Sequence, residues 1–168
     1  MHLALIFAVA AAPLACAARQ QDPGPGQSCV VSSVTDGDTF RCRGNLRVRL
    51  IGVDSPESGQ TPYGAAARTA LLRLLPPGSI VRLELDVAPA DRYGRTLAYV
   101  WADTSLVNEV MVREGWAVLL TVPPNVKYAE RLQRAQNEAR AQHAGLWSKR
   151  GFDCLPSDCR RRRCISPP

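Results

Sequence analysis

The sequence predicts an α+β fold, a five-stranded Greek-key β-barrel of the OB type with three α-helices. Three observations predict it. Asp36-Gly37 lies between two β-type runs, a strong hairpin signal, and predicts a type I′ turn. Val81-Arg82-Leu83-Glu84-Leu85-Asp86 alternates apolar and polar residues with period two, as a strand with one wet face does. Two stretches near the C-terminal end place apolar residues at helical spacing.

Taken in order, residues 30–34 and 40–43 read as strands paired around the Asp-Gly turn, and 47–53 as a third strand. Alternation in the third holds to Leu50 and then becomes a continuous apolar run, which predicts burial on both faces. Thr61-Pro62 reads as an N-cap followed by proline at the first helical position. The helix runs to about Leu75, with Ala67, Ala70, Leu71 and Leu74 on one face, and Pro76-Pro77-Gly78 stops it. Residues 81–86 and 96–102 are the fourth and fifth strands. A second helix over 106–114 turns Leu106, Val107, Val110 and Met111 inward. A third over 127–141 carries the stripe Tyr128, Leu132, Ala135 and Ala139, and Gly145 ends it.

A chain of 168 residues, 46% hydrophobic and 21% charged, suits a globular domain and excludes a disordered one. The net charge is +6, but six basic residues from Lys149 onward face two acidic ones, so +4 of it lies there. The body is therefore not a strongly basic DNA-coating protein, and attraction for polyanions is local. Residues 1–17 are apolar, lack Lys, Arg and acidic residues, and end in Ala15-Cys16-Ala17, a small-x-small cleavage pattern. The expected division is a signal peptide over 1–17, a Pro/Gly-rich linker over 18–28, the barrel domain over 29–148 and a Cys/Arg-rich tail over 149–168. This implies a secreted or periplasmic protein with no membrane span in the mature chain; a lipid anchor at Cys16 is the lesser alternative. In an oxidising compartment Cys29 and Cys42, on the two arms of the first hairpin, suit a cross-strand bridge. Cys154, Cys159 and Cys164 leave one odd thiol, and their spacing without a nearby His fits zinc poorly.

Chemistry concentrates in three segments: Thr35-Asp36-Gly37-Asp38-Thr39, Arg49-Leu50-Ile51-Gly52-Val53-Asp54-Ser55-Pro56-Glu57, and Asp91-Arg92-Tyr93-Gly94-Arg95. A hairpin followed by a third strand can bring Asp38 and Asp54 together at one end of a sheet. Two carboxylates with nearby carbonyls suit a hard cation. Each segment alone is commonly only a turn or a loop. Jointly, with Leu106-Val107-Asn108-Glu109, Pro123-Pro124-Asn125-Val126-Lys127-Tyr128 and Gly145-Leu146-Trp147, they resemble the staphylococcal-nuclease (thermonuclease) family from about Val30 to Trp147.

That resemblance implies the same barrel fold and a phosphodiester-hydrolysing endonuclease acting on DNA and RNA, with Ca²⁺ as cofactor and products ending in 3′-phosphate. Mg²⁺ and Mn²⁺ also accept carboxylate oxygen. It implies Asp38 and Asp54 as metal carboxylates and Ser55 as a ligand through its backbone carbonyl, where the family often has threonine. Glu57 matches the general base, and Arg49 and Arg95 the phosphate-binding arginines. A guanidinium suits that task because its fork holds two phosphate oxygens and stays charged. The neighbours carry two readings each. Asp36 touches the metal shell or only favours the turn. Thr39 holds a metal-bound water or packs in its strand. Asp91 supports a site residue from behind or forms the turn, and Tyr93 bonds a phosphate or serves the turn with Gly94. Tyr128 lies near the nucleotide or fills the helix stripe. The competing function is a non-catalytic OB-fold module that binds nucleic acid. Such a module has no need to keep Asp38, Arg49, Asp54, Glu57 and Arg95 together. No stable protein partner is implied, and a monomer is expected.

Overall fold

The computed structural model describes residues 26–164. The expected signal peptide and Cys16 lie outside them. Five strands close a barrel. β1 (Gln27–Val34) pairs antiparallel with β2 (Thr39–Cys42), and β2 with β3 (Arg47–Leu50). After β4 (Val53–Asp54) and helix α1 (Tyr63–Leu74), β5 (Ile80–Glu84) pairs antiparallel with β1. β6 (Thr96–Ala102) pairs with β5 and closes the barrel by running parallel to β3, with Val48 opposite Thr96 and Leu50 opposite Ala98. β7 (Ser105–Leu106) folds back on β6 and leads into α2 (Val107–Arg113). β8 (Val118–Leu119) pairs with β4, and α3 (Ala129–Ala141) follows. This is the OB-type α+β barrel, with a fourth short helix, α4 (Pro156–Arg160), added to the three expected.

The inward residues of the strands fill the barrel: Val31, Phe40, Val48, Leu50, Leu83 and Val100 are all buried. Leu71 and Leu75 from the first helix, Met111 from the second and Leu132 from the third join that cluster. Cys29 and Cys42 form a disulfide with Cα atoms 5.7 Å apart, as the hairpin reading expected. A bridge closing a loop of this length stabilises by about 3 kcal/mol.

Four local expectations need correction, and three of them concern how the site is built. First, the Asp36-Gly37 turn is not type I′, because Gly37 does not adopt positive φ. Thr35 and Asp36 N–H both donate to the Thr39 carbonyl across a wider loop. Glycine is needed there for space: a Cβ would lie 2.7 Å from Ser55 and 2.6 Å from Ala67. Second, the strand expected over 47–53 breaks after Leu50. Gly52 takes φ 75°, and an added Cβ there would lie 2.5 Å from Leu132. The break sends Val53–Asp54 off the barrel to pair with the strand at Val118–Leu119. Third, Thr61 does not cap the first helix: Pro62 is the cap residue, with no side-chain cap bond. Fourth, the last long helix ends at Ala141 with Gln142 as its cap, and His143 (φ 50°) takes a left-handed conformation before Gly145 (φ 53°) does. Gly145 is also pressed against the Glu114 carbonyl, 2.3 Å from where its Cβ would stand.

Asn108 locks this end of the barrel. Fully buried on α2, it accepts the Val100 N–H (2.8 Å) and donates to the carbonyls of Ile51 (2.8 Å) and Ala98 (3.3 Å). One side chain thus satisfies backbone groups of β6 and of the Ile51-Gly52 break, which fixes the departure of β4.

Residues after the third long helix do not trail away as an appendage. A 3₁₀ turn over Gly145–Lys149 is followed by Phe152 and Leu155, which pack with Val118, Leu146 and Trp147. Cys154 and Cys164 are bridged and Cys159 is free. The Tyr63 hydroxyl donates to the Lys149 carbonyl (3.1 Å), and the buried Gln60 amide donates to the Cys154 carbonyl (3.2 Å). No helix among the described residues is long and apolar enough to cross a membrane.

Candidate active site

The loop before β2 and the break after β3 meet at one rim of the barrel. The Leu50 N–H donates to the Asp38 carbonyl (2.9 Å), which pins the two segments together. Asp38 Oδ2 accepts both the backbone N–H (2.9 Å) and the hydroxyl (3.0 Å) of Ser55, while Oδ1 accepts the Thr39 hydroxyl (3.0 Å). Arg49 lies between the two acids, with Nη1 3.1 Å from Asp38 and Nη2 3.4 Å from Asp54. Its guanidinium also donates to the Val53 carbonyl (2.7 Å).

Arg95 comes from the turn before β6. Its Nε donates to Asp91 (2.7 Å), and its Nη1 reaches the Thr39 hydroxyl (3.4 Å). The same Asp91 accepts the backbone N–H groups of Tyr93 (2.9 Å) and Arg95 (3.0 Å). Asp91 thus forms the turn and holds the Arg95 guanidinium. Tyr93 is 59% exposed, with Arg92 donating to its hydroxyl and the Arg95 guanidinium 5.6 Å from its ring.

Glu57 sits on the loop leading to the first helix, its side chain 45% exposed. Gln60, buried in the loop, accepts the Glu57 N–H (2.9 Å) and donates its own N–H to the Glu57 carbonyl (2.8 Å). Asp36 accepts the Asp38 N–H (3.0 Å), a turn-type bond.

The charges are held under stress. Burial pushes the Asp54 carboxyl above the ordinary range, opposed by the guanidinium groups of Arg160 and Arg49. Burial, then the charge of Asp38, pushes Asp36 up to about 6. A carboxylate as enclosed as Asp54, 1% exposed, calls for a cation. Here a guanidinium takes that place: Arg160, from the end of α4, donates Nη1 to Asp54 Oδ1 and Nη2 to Oδ2, each at 2.9 Å. Its Nη1 also donates to Glu57 (2.5 Å). Asp38 and Asp54 flank the Arg49 guanidinium, and carboxylate oxygens of this kind are the ligands a hard divalent cation takes.

Among the expected residues, contacts run continuously from Arg95 through Thr39, Asp38, Arg49 and Asp54, and Arg160 carries them on to Glu57. Beside the two site arginines opens a cleft of about 350 Å³ walled by Gly52, Leu97, Val122, Pro123 and Asn125.

Tyr128 is placed elsewhere. Its ring packs edge-on to Tyr99 and Trp101, and its hydroxyl donates to Glu84 (3.1 Å). Glu84 also accepts the Trp101 indole N–H (2.8 Å) and pairs with Lys127. The face expected to be wet over 81–86 is covered at Glu84, which is buried beneath Trp101 and Tyr128, and Leu85, past the strand's end, is 44% exposed. Burial alone would raise the Glu84 carboxyl, but Lys127, Trp101 and Tyr128 hold it below the usual range. A depressed carboxyl stabilises the fold above its unfolded-state pKa and loses that contribution as pH falls through the folded one. Glu84→Gln is therefore expected to lower stability by about 2 kcal/mol at pH 7. The difference should fade below about pH 4, as urea melts of both proteins across pH would reveal.

Sequence reasoning missed Gln60, the positional role of Asn108, and Arg160. Asn108 signals itself only as a polar residue beside apolar ones, and Gln60, among Ser58, Gly59 and Thr61, carries no local signal. Arg160 lies 106 residues from Asp54, and only the Arg160–Arg163 cluster marked its neighbourhood.

Comparisons with known proteins show what the chain is similar to. Residues 47–149 match the family model described as staphylococcal nuclease homologue. The chain is 41% identical over 132 residues to the thermonuclease of Staphylococcus intermedius, covering 74% of this chain and 78% of that protein. It is 40% identical over 130 residues to the thermonuclease of Staphylococcus hyicus, covering 73% and 76%. It is also 35% identical over 127 residues to the SPbeta prophage-derived endonuclease YokF of Bacillus subtilis, covering 70% of this chain and 43% of that one.

Proposed function

Because the chain belongs to the staphylococcal nuclease family, we propose that it is a metal-dependent endonuclease that hydrolyses phosphodiester bonds of DNA and RNA, leaving 3′-phosphate ends. The observation that carries this reading is Arg49 bridging two enclosed carboxylates, with Arg95 and Glu57 on the same rim. Asp38, Asp54 and the Ser55 carbonyl would hold the cation, Ca²⁺ by resemblance. When bound, the cation neutralises a non-bridging phosphate oxygen and helps place the attacking water. Glu57 takes the proton of that water. A new oxygen–phosphorus bond forms as the bond to the 5′-oxygen breaks, so the phosphate stays on the 3′ side. Arg49 and Arg95 meet the charge that builds on the phosphoryl oxygens, and Asp91 keeps Arg95 aimed there. The cleft beside them, largely apolar, accommodates part of a nucleotide next to the phosphate.

The two disulfides suit an oxidising compartment, and we read the apolar residues 1–17 as a secretion signal, with a monomeric mature protein. The test is cleavage of single-stranded DNA and of RNA by the mature chain with Ca²⁺, Mg²⁺ or Mn²⁺ and with EDTA, followed by analysis of product ends. Cation-dependent cleavage that falls about 100-fold or more in Arg95→Ala supports the reading. Salt-dependent binding without cleavage under any cation would leave only a nucleic-acid-binding module.

A further inference from the structure

We propose that residues 150–164 form an intrasteric plug whose working element is Arg160, a guanidinium seated where the catalytic cation would sit. Cation binding and docking of this segment then exclude each other. The inference rests on the cation site proposed above but concerns a part of the chain beyond the family match, which ends at residue 149.

The contact is specific. The Arg160 fork takes both oxygens of Asp54 at 2.9 Å, so the side of that carboxylate facing the guanidinium is filled. The same guanidinium donates to Glu57 Oε1, so it also engages the group that would accept a proton from water. With Arg160 in place, both oxygens of Asp54 and one oxygen of Glu57 are engaged.

The placement is built by the fold. Phe152 is buried, and Leu155 packs into the same apolar cluster. Pro156 starts the short helix and is itself buried. The Cys154–Cys164 bridge closes a ten-residue loop that contains Arg160. Gln60 ties this segment to the site directly, because the same side chain accepts the Glu57 N–H and donates to the Cys154 carbonyl. Among the four consecutive arginines, Arg160 alone contacts the site carboxylates among the described residues; Arg163 pairs locally with Asp158 (2.6 Å).

The plug is also displaceable. The Arg160 side chain is 40% exposed, at the rim and not in the core. A divalent cation brings two charges to the position that the guanidinium holds with one, so a sufficient cation concentration expels it. The segment thus acts as an internal competitor that raises the cation concentration needed to switch the enzyme on.

The test is calorimetric titration of the mature chain with CaCl₂, without substrate, for the wild type, Arg160→Gln, Arg161→Gln, and a variant with Cys154, Cys159 and Cys164 all replaced by Ser. Arg160→Gln is expected to tighten the Ca²⁺ Kd by about tenfold. The Cys-free segment should shift in the same direction, because its loop is no longer closed over the site. Arg161→Gln removes the same charge from an exposed neighbour and should leave the Kd within about twofold of wild type. A Kd for Arg160→Gln equal to or weaker than that of Arg161→Gln overturns the plug while leaving the cation site intact. If no protein in the set binds Ca²⁺, Mg²⁺ or Mn²⁺, the cation site itself falls, and the plug with it.

Discussion

Glu57→Gln is expected to lower kcat for cleavage of single-stranded DNA by about 10³-fold, with KM nearly unchanged. The amide keeps the shape of the side chain and an oxygen that accepts a hydrogen bond, but it cannot take a proton from water. Glu57 is well suited to such a clean test. Its side chain is 45% exposed and packs in no core cluster, so the substitution leaves no cavity. Its backbone is held independently by Gln60 in both directions, so the loop keeps its path when the carboxylate changes. Stability should stay within about 0.5 kcal/mol of wild type. Steady-state kinetics at saturating cation, beside a thermal melt, check both halves. An unchanged kcat would remove Glu57 from the reaction and move the search for a base elsewhere on the rim. A large rise in KM with an unchanged kcat would make it a substrate-binding group.

How much of this was legible in the sequence depended on whether the cause was local. The hairpin, the amphipathic helices and the strand over 96–102 follow from patterns within a few residues, and the fold places them within a residue or two of expectation in most cases. The clustering of Asp38, Arg49 and Asp54 could be anticipated because hairpin and strand geometry bring neighbouring segments to one rim. What could not be read depended on contacts between distant segments. Gly37 resembles a turn-former by composition, yet its glycine is required by Ser55 and Ala67 pressing on the loop. The apolar run through Val53 reads as one strand, but Leu132 packs so closely on Gly52 that the strand ends and restarts. Glu84 occupies a polar position of an alternating strand and is covered there by Trp101, Lys127 and Tyr128. Arg160 is the extreme case: a basic tail reads as solvated, and only the packing of Phe152 and the Cys154–Cys164 bridge turn one of its arginines toward Asp54.

Asp54→Asn is the variant in which function and stability should part most widely. Asp54 is 1% exposed, lies near Asp38 across the Arg49 guanidinium, and carries a carboxyl that burial opposes. Without a cation, keeping this charge enclosed costs the folded state much of what its ion pairs return. The amide retains the shape and one acceptor oxygen for Arg49 or Arg160, so the melting temperature in EDTA should move by no more than about 2 °C. The response to cation should differ sharply. Wild type at a cation concentration 100 times its Kd gains about 2.7 kcal/mol from mass action alone. Asp54→Asn should lose most of that gain, because half of the carboxylate pair is gone. Nuclease activity should fall by about 10³-fold or more, the scale of a lost metal contribution of several kcal/mol. Thermal melts with and without CaCl₂, read beside cleavage rates, separate the possibilities. A variant that stays inactive yet keeps the full calcium-dependent rise in melting temperature would place the cation elsewhere, with Asp54 serving only to orient Arg49. A variant that unfolds in EDTA would mean that the pairs with Arg49 and Arg160 stabilise the barrel more than burial of the carboxylate costs it.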